Sequence, residues 1–109
     1  MKEIPIAAAS DAGFIDAEIE SLVAAAANSM SLRISMSGSL KQFPGSRHWH
    51  LKRETGAGTL ELTWWPAQNR LWVSYHANRA GDGWVAESAA LLAQEISRLL
   101  NSRAPVSTP

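Results

Sequence analysis

The stretch that decides the fold runs from Arg47 to His76, RHWHLKRETGAGTLELTWWPAQNRLWVSYH. Three segments within it alternate with a period of two. His48, His50 and Lys52 alternate with Trp49, Leu51 and Arg53; Leu60, Leu62 and Trp64 with Glu61, Thr63 and Trp65; and Leu71, Val73 and Tyr75 with Arg70, Trp72 and Ser74. A β-strand throws successive side chains to opposite faces, so each segment reads as a strand with one apolar side. Thr59 to Trp65 is the clearest, because β-branched and aromatic residues suit a pleated surface and Pro66 ends the run. Gly56-Ala57-Gly58 and Ala67-Gln68-Asn69 separate the three as turns.

Working outward, Leu32, Ile34 and Met36 alternate with Arg33, Ser35 and Ser37, which predicts a further half-buried strand before the three. It could border either the strand that starts near Arg47 or the one that ends at His76. Gly38 to Ser46 follows as a long connection, with the turn signal Pro44-Gly45 inside it. Upstream, Ile15, Ile19, Leu22, Val23 and Ala26 recur at three-to-four spacing, predicting a helix from about Asp11 to Asn28, capped by Ser10 or Asp11 and carrying a solvated acidic face. Downstream, after a loop at Asn78 to Gly83, the stripe Val85, Ala89, Leu92, Ile96 and Leu99 predicts a second helix. The expected fold class is α+β, in the order α-β-β-β-β-α: an antiparallel meander sheet with two helices packed on one face. One domain is expected over residues 1–103, with a frayed tail over 104–109.

Composition narrows the function classes. With 109 residues the chain fits one domain, and with no cysteine it has no disulfide framework, thiolate metal site or thiol nucleophile. Its longest apolar-leaning run, Leu22 to Ala27, is far short of the roughly 20 residues that cross a bilayer, so a soluble, cytoplasmic protein with no membrane partner is expected. Net charge is zero, but the segment from Arg33 to Arg79 is basic, with Arg33, Lys41, Arg47, Lys52, Arg53, Arg70 and Arg79 against Glu54 and Glu61.

Pairing neighbouring strands with apolar opposite apolar separates two faces. Trp49, Leu51, Leu60, Leu62, Trp64, Leu71, Val73 and Tyr75 form the side that the helices must cover. The other side holds His48, His50, Lys52, Thr59, Glu61, Thr63, Trp65, Arg70, Trp72, Ser74 and His76. In the expected register His48, Trp65 and Arg70 share one row, His50, Thr63 and Trp72 the next, and Lys52, Glu61 and Ser74 a third. Trp65 and Trp72 are then diagonal neighbours, leaving roughly 300 to 500 Å² of apolar surface in water, near the largest patch a monomer normally shows. The alternative is that Leu40 and Phe43 of the connection fold over the tryptophans. Arg70 is expected to stack on Trp65.

The candidate binding set is therefore His48, His50, Lys52, Trp65, Arg70 and Trp72, with Arg79 at the rim. The function it suggests is a non-enzymatic interaction module, contacting itself as a homodimer or another protein. The alternative is single-stranded nucleic acid stacked on the same Trp/Arg/His face. No nucleophile elbow or phosphate-cradling loop is present, and an open sheet face excludes water poorly, which argues against an enzyme. His48-Trp49-His50 places two imidazoles on one face of a strand, with their Cα atoms about 7 Å apart. His76 is too distant to join them, and Glu61 is expected diagonal to His50 with Lys52 directly opposite to take it as an ion pair. On that register neither a metal nor another cofactor is expected.

Overall fold

The computed structural model describes residues 2–6, 16–54, 58–76 and 83–102. Its elements follow the order β1 (Lys2–Pro5), α1 (Asp16–Ser29), β2 (Arg33–Leu40), β3 (Phe43–Lys52), β4 (Leu60–Trp65), a single 3-10 turn (Pro66–Gln68), β5 (Arg70–Tyr75) and α2 (Gly83–Ser102). The five strands form one antiparallel sheet in the order β1-β5-β4-β3-β2. The α+β meander backed by two helices is thus present, with one strand more than the sequence reading contained. The extra strand, β1, pairs Ile4 with Val73, and the Ile6 N–H donates to the Leu71 carbonyl at 2.9 Å. Its proline is tolerated because the strand lies at an edge. The expected helix start and its caps, the Gly56-Ala57 part of one turn, the rim loop with Arg79 and the tail from 104 lie outside the described residues.

The helices cover the face assigned to them. Ile19, Val23, Ala26 and Ala27 of α1 and Val85, Ala89, Leu92, Ile96 and Leu100 of α2 are buried with Trp49, Leu51, Leu60, Leu62, Trp64, Leu71 and Val73 of the sheet, while Tyr75 and Leu99 pack at the margin. Two surface contacts tie the helices to β3 and its end. Glu20 on the acidic side of α1 forms an ion pair with Arg47, and the Arg53 guanidinium lies 4.8 Å from the centre of the Trp84 ring. Both ion-pair side chains are well exposed, so this pair contributes on the order of 0.2 to 1 kcal/mol.

The predicted connection over Gly38 to Ser46 is instead mostly strand. β2 and β3 form a hairpin turning at Lys41 and Gln42, with Leu40 opposite Phe43. From Gly38↔His48 to Leu40↔Phe43, two steps along β2 correspond to five along β3. Pro44-Gly45 falls within this irregularity, and Gly45 takes φ 81°, a conformation glycine adopts without the penalty of a Cβ. The buried Ser46 hydroxyl restores the interrupted ladder by accepting the Leu40 N–H at 3.0 Å. A second irregularity places Ser35 as an extra residue between Ile34↔Leu51 and Met36↔His50. β2 therefore does not keep one apolar side. All of its residues except Leu40 are exposed, with Ile34 at 40 % and Met36 at 41 %, so the expectation of a half-buried strand is corrected. β2 borders β3, and Arg33, opposite Lys52, stands at the far end of the sheet from Trp65.

Candidate functional site

The face turned away from the helices carries the candidate residues, and its β3/β4 register is offset by two from the expected one. His48 is opposite Thr63 and His50 opposite Glu61, while Arg47 pairs with Trp64. The β4/β5 pairing is as expected, with Trp65 opposite Arg70, Thr63 opposite Trp72 and Glu61 opposite Ser74. The rows are thus His48–Thr63–Trp72 and His50–Glu61–Ser74, and Met36 of β2 joins the second. A shift of two residues keeps every side chain on its face, so hydrophobic alternation cannot distinguish the two registers.

Trp72 is not a surface residue. It is 3 % exposed, in a small packing layer of its own on the helix-free side of the sheet. Phe43 meets it edge-on with ring centres 5.1 Å apart and also packs against Trp65 at 4.9 Å. The Arg70 guanidinium lies over Trp72 at 4.3 Å from the ring centre, rather than over Trp65 as expected. Trp65 is half-buried, and its indole N–H donates to the Pro44 carbonyl at 3.1 Å. The tip of the β2–β3 hairpin, anchored by Phe43 and Pro44, therefore folds over the tryptophans. The large bare aromatic patch is absent, and the alternative through Phe43 holds.

Beyond this aromatic cap lie the two imidazoles. His48 is buried, and its Nδ1 is 2.8 Å from the Thr63 hydroxyl oxygen. Its Nε2 is 3.3 Å from Glu61 Oε1, and the His50 Nε2 approaches the same oxygen at 3.8 Å. The two rings meet edge-on with centres 5.0 Å apart. Lys52 does not compete for the carboxylate, because its ammonium donates to the Thr59 hydroxyl at 2.6 Å. The hydrogen bond from His48 holds the Glu61 carboxyl below its usual range, outweighing the opposite effect of burial. Burial pushes the His50 imidazole below its ordinary value, although the Glu61 charge acts the other way. One donor atom each from His48, His50 and Glu61 lies within 4.8 Å of the others.

The structure thus brings His48 and His50 together with Glu61 and places Arg70, Trp72 and Trp65 in a separate aromatic cluster, with Lys52 engaged elsewhere; Arg79 lies outside the described residues. Glu61 lies on the face that its alternation predicts, but opposite His50 and not opposite Lys52. Thr63 gave no sequence signal beyond its place on that face, since a threonine in a strand is equally at home in water. Substituting valine for Thr63 removes the partner of a buried imidazole nitrogen at nearly constant volume. We expect a loss of about 1 to 3 kcal/mol of stability in urea unfolding, largely restored by Thr63→Ser.

The free edge of β2 is the other distinctive feature. The strand is eight residues long with β3 on one side, and none of the described strands pairs with its other side. Among the described residues, no helix is long and apolar enough to cross a membrane. Comparison with protein-family models, with curated proteins and with solved structures finds no match for this chain.

Proposed function

We propose that this chain is a non-enzymatic interaction module whose working surface is the β2 edge, and that a second copy of the chain pairs with it to extend the sheet across a two-fold axis. The observation that supports the reading is the character of that edge. It is long and exposed, with Ile34 and Met36 each about 40 % in solvent, and the segment from Ile34 to Leu40 contains neither proline nor charge. Edges that must stay single are normally short, covered, bulged or guarded by lysine and proline; this one carries the bulge at Ser35 but is long and has no lysine or proline from Ile34 to Leu40. Such an edge still offers N–H and C=O groups whose natural complement is another extended backbone. The uncharged segment can lie antiparallel to its own copy without setting like charges opposite one another. The cluster of Trp65, Trp72 and Arg70 contributes by holding the hairpin tip, and with it the outer strand, in place.

Single-stranded nucleic acid on the Trp/Arg/His face is the other reading. It draws on Arg70, Lys52 and the basic middle of the chain. It has less support, because Phe43 and Arg70 already occupy ring surfaces on which bases would stack.

Solution mass by size-exclusion chromatography with light scattering separates these ideas. At tens of micromolar the protein should run as a dimer, little affected by raising salt, and Ile34→Lys should convert it to a folded monomer. A wild-type monomer indistinguishable from Ile34→Lys would overturn edge pairing. Binding of a short single strand that weakens steeply with salt would instead favour the nucleic-acid reading.

A further inference from the structure

We propose that His48, His50 and Glu61 form a binding site for a divalent transition-metal ion of the zinc type, with at least one coordination position left open. The proposal stands apart from edge pairing, since its residues lie on β3 and β4 and need no second chain. Its central observation is convergence. The Nε2 atoms of both imidazoles approach the same carboxylate oxygen, Glu61 Oε1, at 3.3 and 3.8 Å. His50 stands directly opposite Glu61 in the ladder, which brings its Nε2 to the same oxygen that His48 approaches from the neighbouring row.

The distances suit the ion. Zinc bonds of about 2.0 to 2.2 Å in a tetrahedron place donor atoms about 3.3 to 3.6 Å apart. One donor from each of the three residues already lies within 4.8 Å of the others, so side-chain rotation has only to draw them closer. Strand pairing fixes the frame: His48 and His50 are two residues apart on β3, and Glu61 faces His50 across the ladder on β4.

The surroundings suit it as well. Thr63 lies 2.8 Å from the His48 Nδ1, so once the ion displaces the Nε2 proton that bonds Glu61, Nδ1–H donates to that hydroxyl and the Nε2 lone pair faces the site. Partners of this kind orient metal-bound histidines and fix their tautomer. Lys52 is drawn off by Thr59, so no ammonium occupies the carboxylate. His48 is buried while His50 and Glu61 are only partly so, which walls the site on the sheet side and leaves an opening toward solvent. Two imidazoles and one carboxylate favour borderline ions such as Zn²⁺ over Mg²⁺ or Ca²⁺, which prefer all-oxygen shells. With three protein donors, a fourth tetrahedral position remains for water or another small ligand.

The test uses the untagged, chelator-treated 109-residue chain and the metal salts alone. Isothermal titration with ZnCl2 should give one ion per chain, and Co²⁺ should produce the intense visible absorption of a four-coordinate nitrogen and oxygen site. His50→Ala, at a partly exposed position that should not impair folding, and Glu61→Gln should each weaken Zn²⁺ binding at least about tenfold, the lower bound seen even for outer-shell changes. MgCl2 should give no saturable heat. The proposal is overturned if the folded wild type takes up no stoichiometric Zn²⁺, or if both variants bind it as tightly as the wild type.

Discussion

Replacing Trp72 by alanine should lower the stability of the fold by about 3 to 5 kcal/mol, the range for removing a large aromatic side chain from a packed site. At roughly 4 °C per kcal/mol for a domain of this size, Tm should fall on the order of 12 to 20 °C. The indole is 3 % exposed, with the Phe43 ring 5.1 Å away and the Arg70 guanidinium over it at 4.3 Å, so its removal leaves a cavity between the sheet and the hairpin tip. The expectation opposes the one that alternation suggests, in which Trp72 is a surface contact whose loss would change stability by no more than about 0.5 kcal/mol. Thermal melting by circular dichroism decides between them. Phe43→Ala should reproduce part of the loss and raise the exposure of Trp65, visible as a red shift in tryptophan emission.

Leu62→Ala should cost about 2 to 5 kcal/mol. Leu62 is fully buried, paired with Trp49 on one side and Val73 on the other, at the centre of the sheet face that α1 and α2 cover. No neighbouring strand can collapse into the space without giving up its own pairing, which places the expected loss toward the upper end. Leu62→Met, which roughly conserves volume, should cost less than about 1.5 kcal/mol. Urea unfolding with an unchanged m-value would confirm that the native packing, rather than the denatured state, carries the effect.

These two residues mark the boundary of what was legible. Leu62 belongs to a strict period-two pattern, and the face of a strand residue follows from its parity alone. For the same reason all eight residues assigned to the helix-covered face in the three central strands are found there, and the stripes Ile19–Val23–Ala26 and Val85–Ala89–Leu92–Ile96 mark the covering helices. Trp72 has the opposite parity and was correctly placed on the other face, yet nothing local said that the hairpin tip would return to cover it. That depends on the irregularity around Gly45, which lets Phe43, distant in sequence, reach both tryptophans. β1 has no legible signal in the sequence, because four residues ending in a proline carry too short a pattern and the pairing with β5 is a long-range event.

The candidate site divides in the same way. The alternation of His48-Trp49-His50 by itself put both imidazoles on one side of the sheet, and that of Leu60 to Trp65 put Glu61 there too. Which row each occupies was decided only by tertiary structure, because a slip of two residues preserves every face and still sets apolar residues opposite apolar ones in the middle of the ladder, so the hydrophobic pattern is degenerate to it. The degeneracy is lifted by polar matching on the helix-free side, where buried His48 needs the Thr63 hydroxyl, Lys52 finds Thr59, and Glu61 is left facing both histidines. A chain's alternation thus determines what lies on each side of its sheet, while the meeting of particular side chains across strands depends on burial and hydrogen bonding that exist only once the sheet has formed.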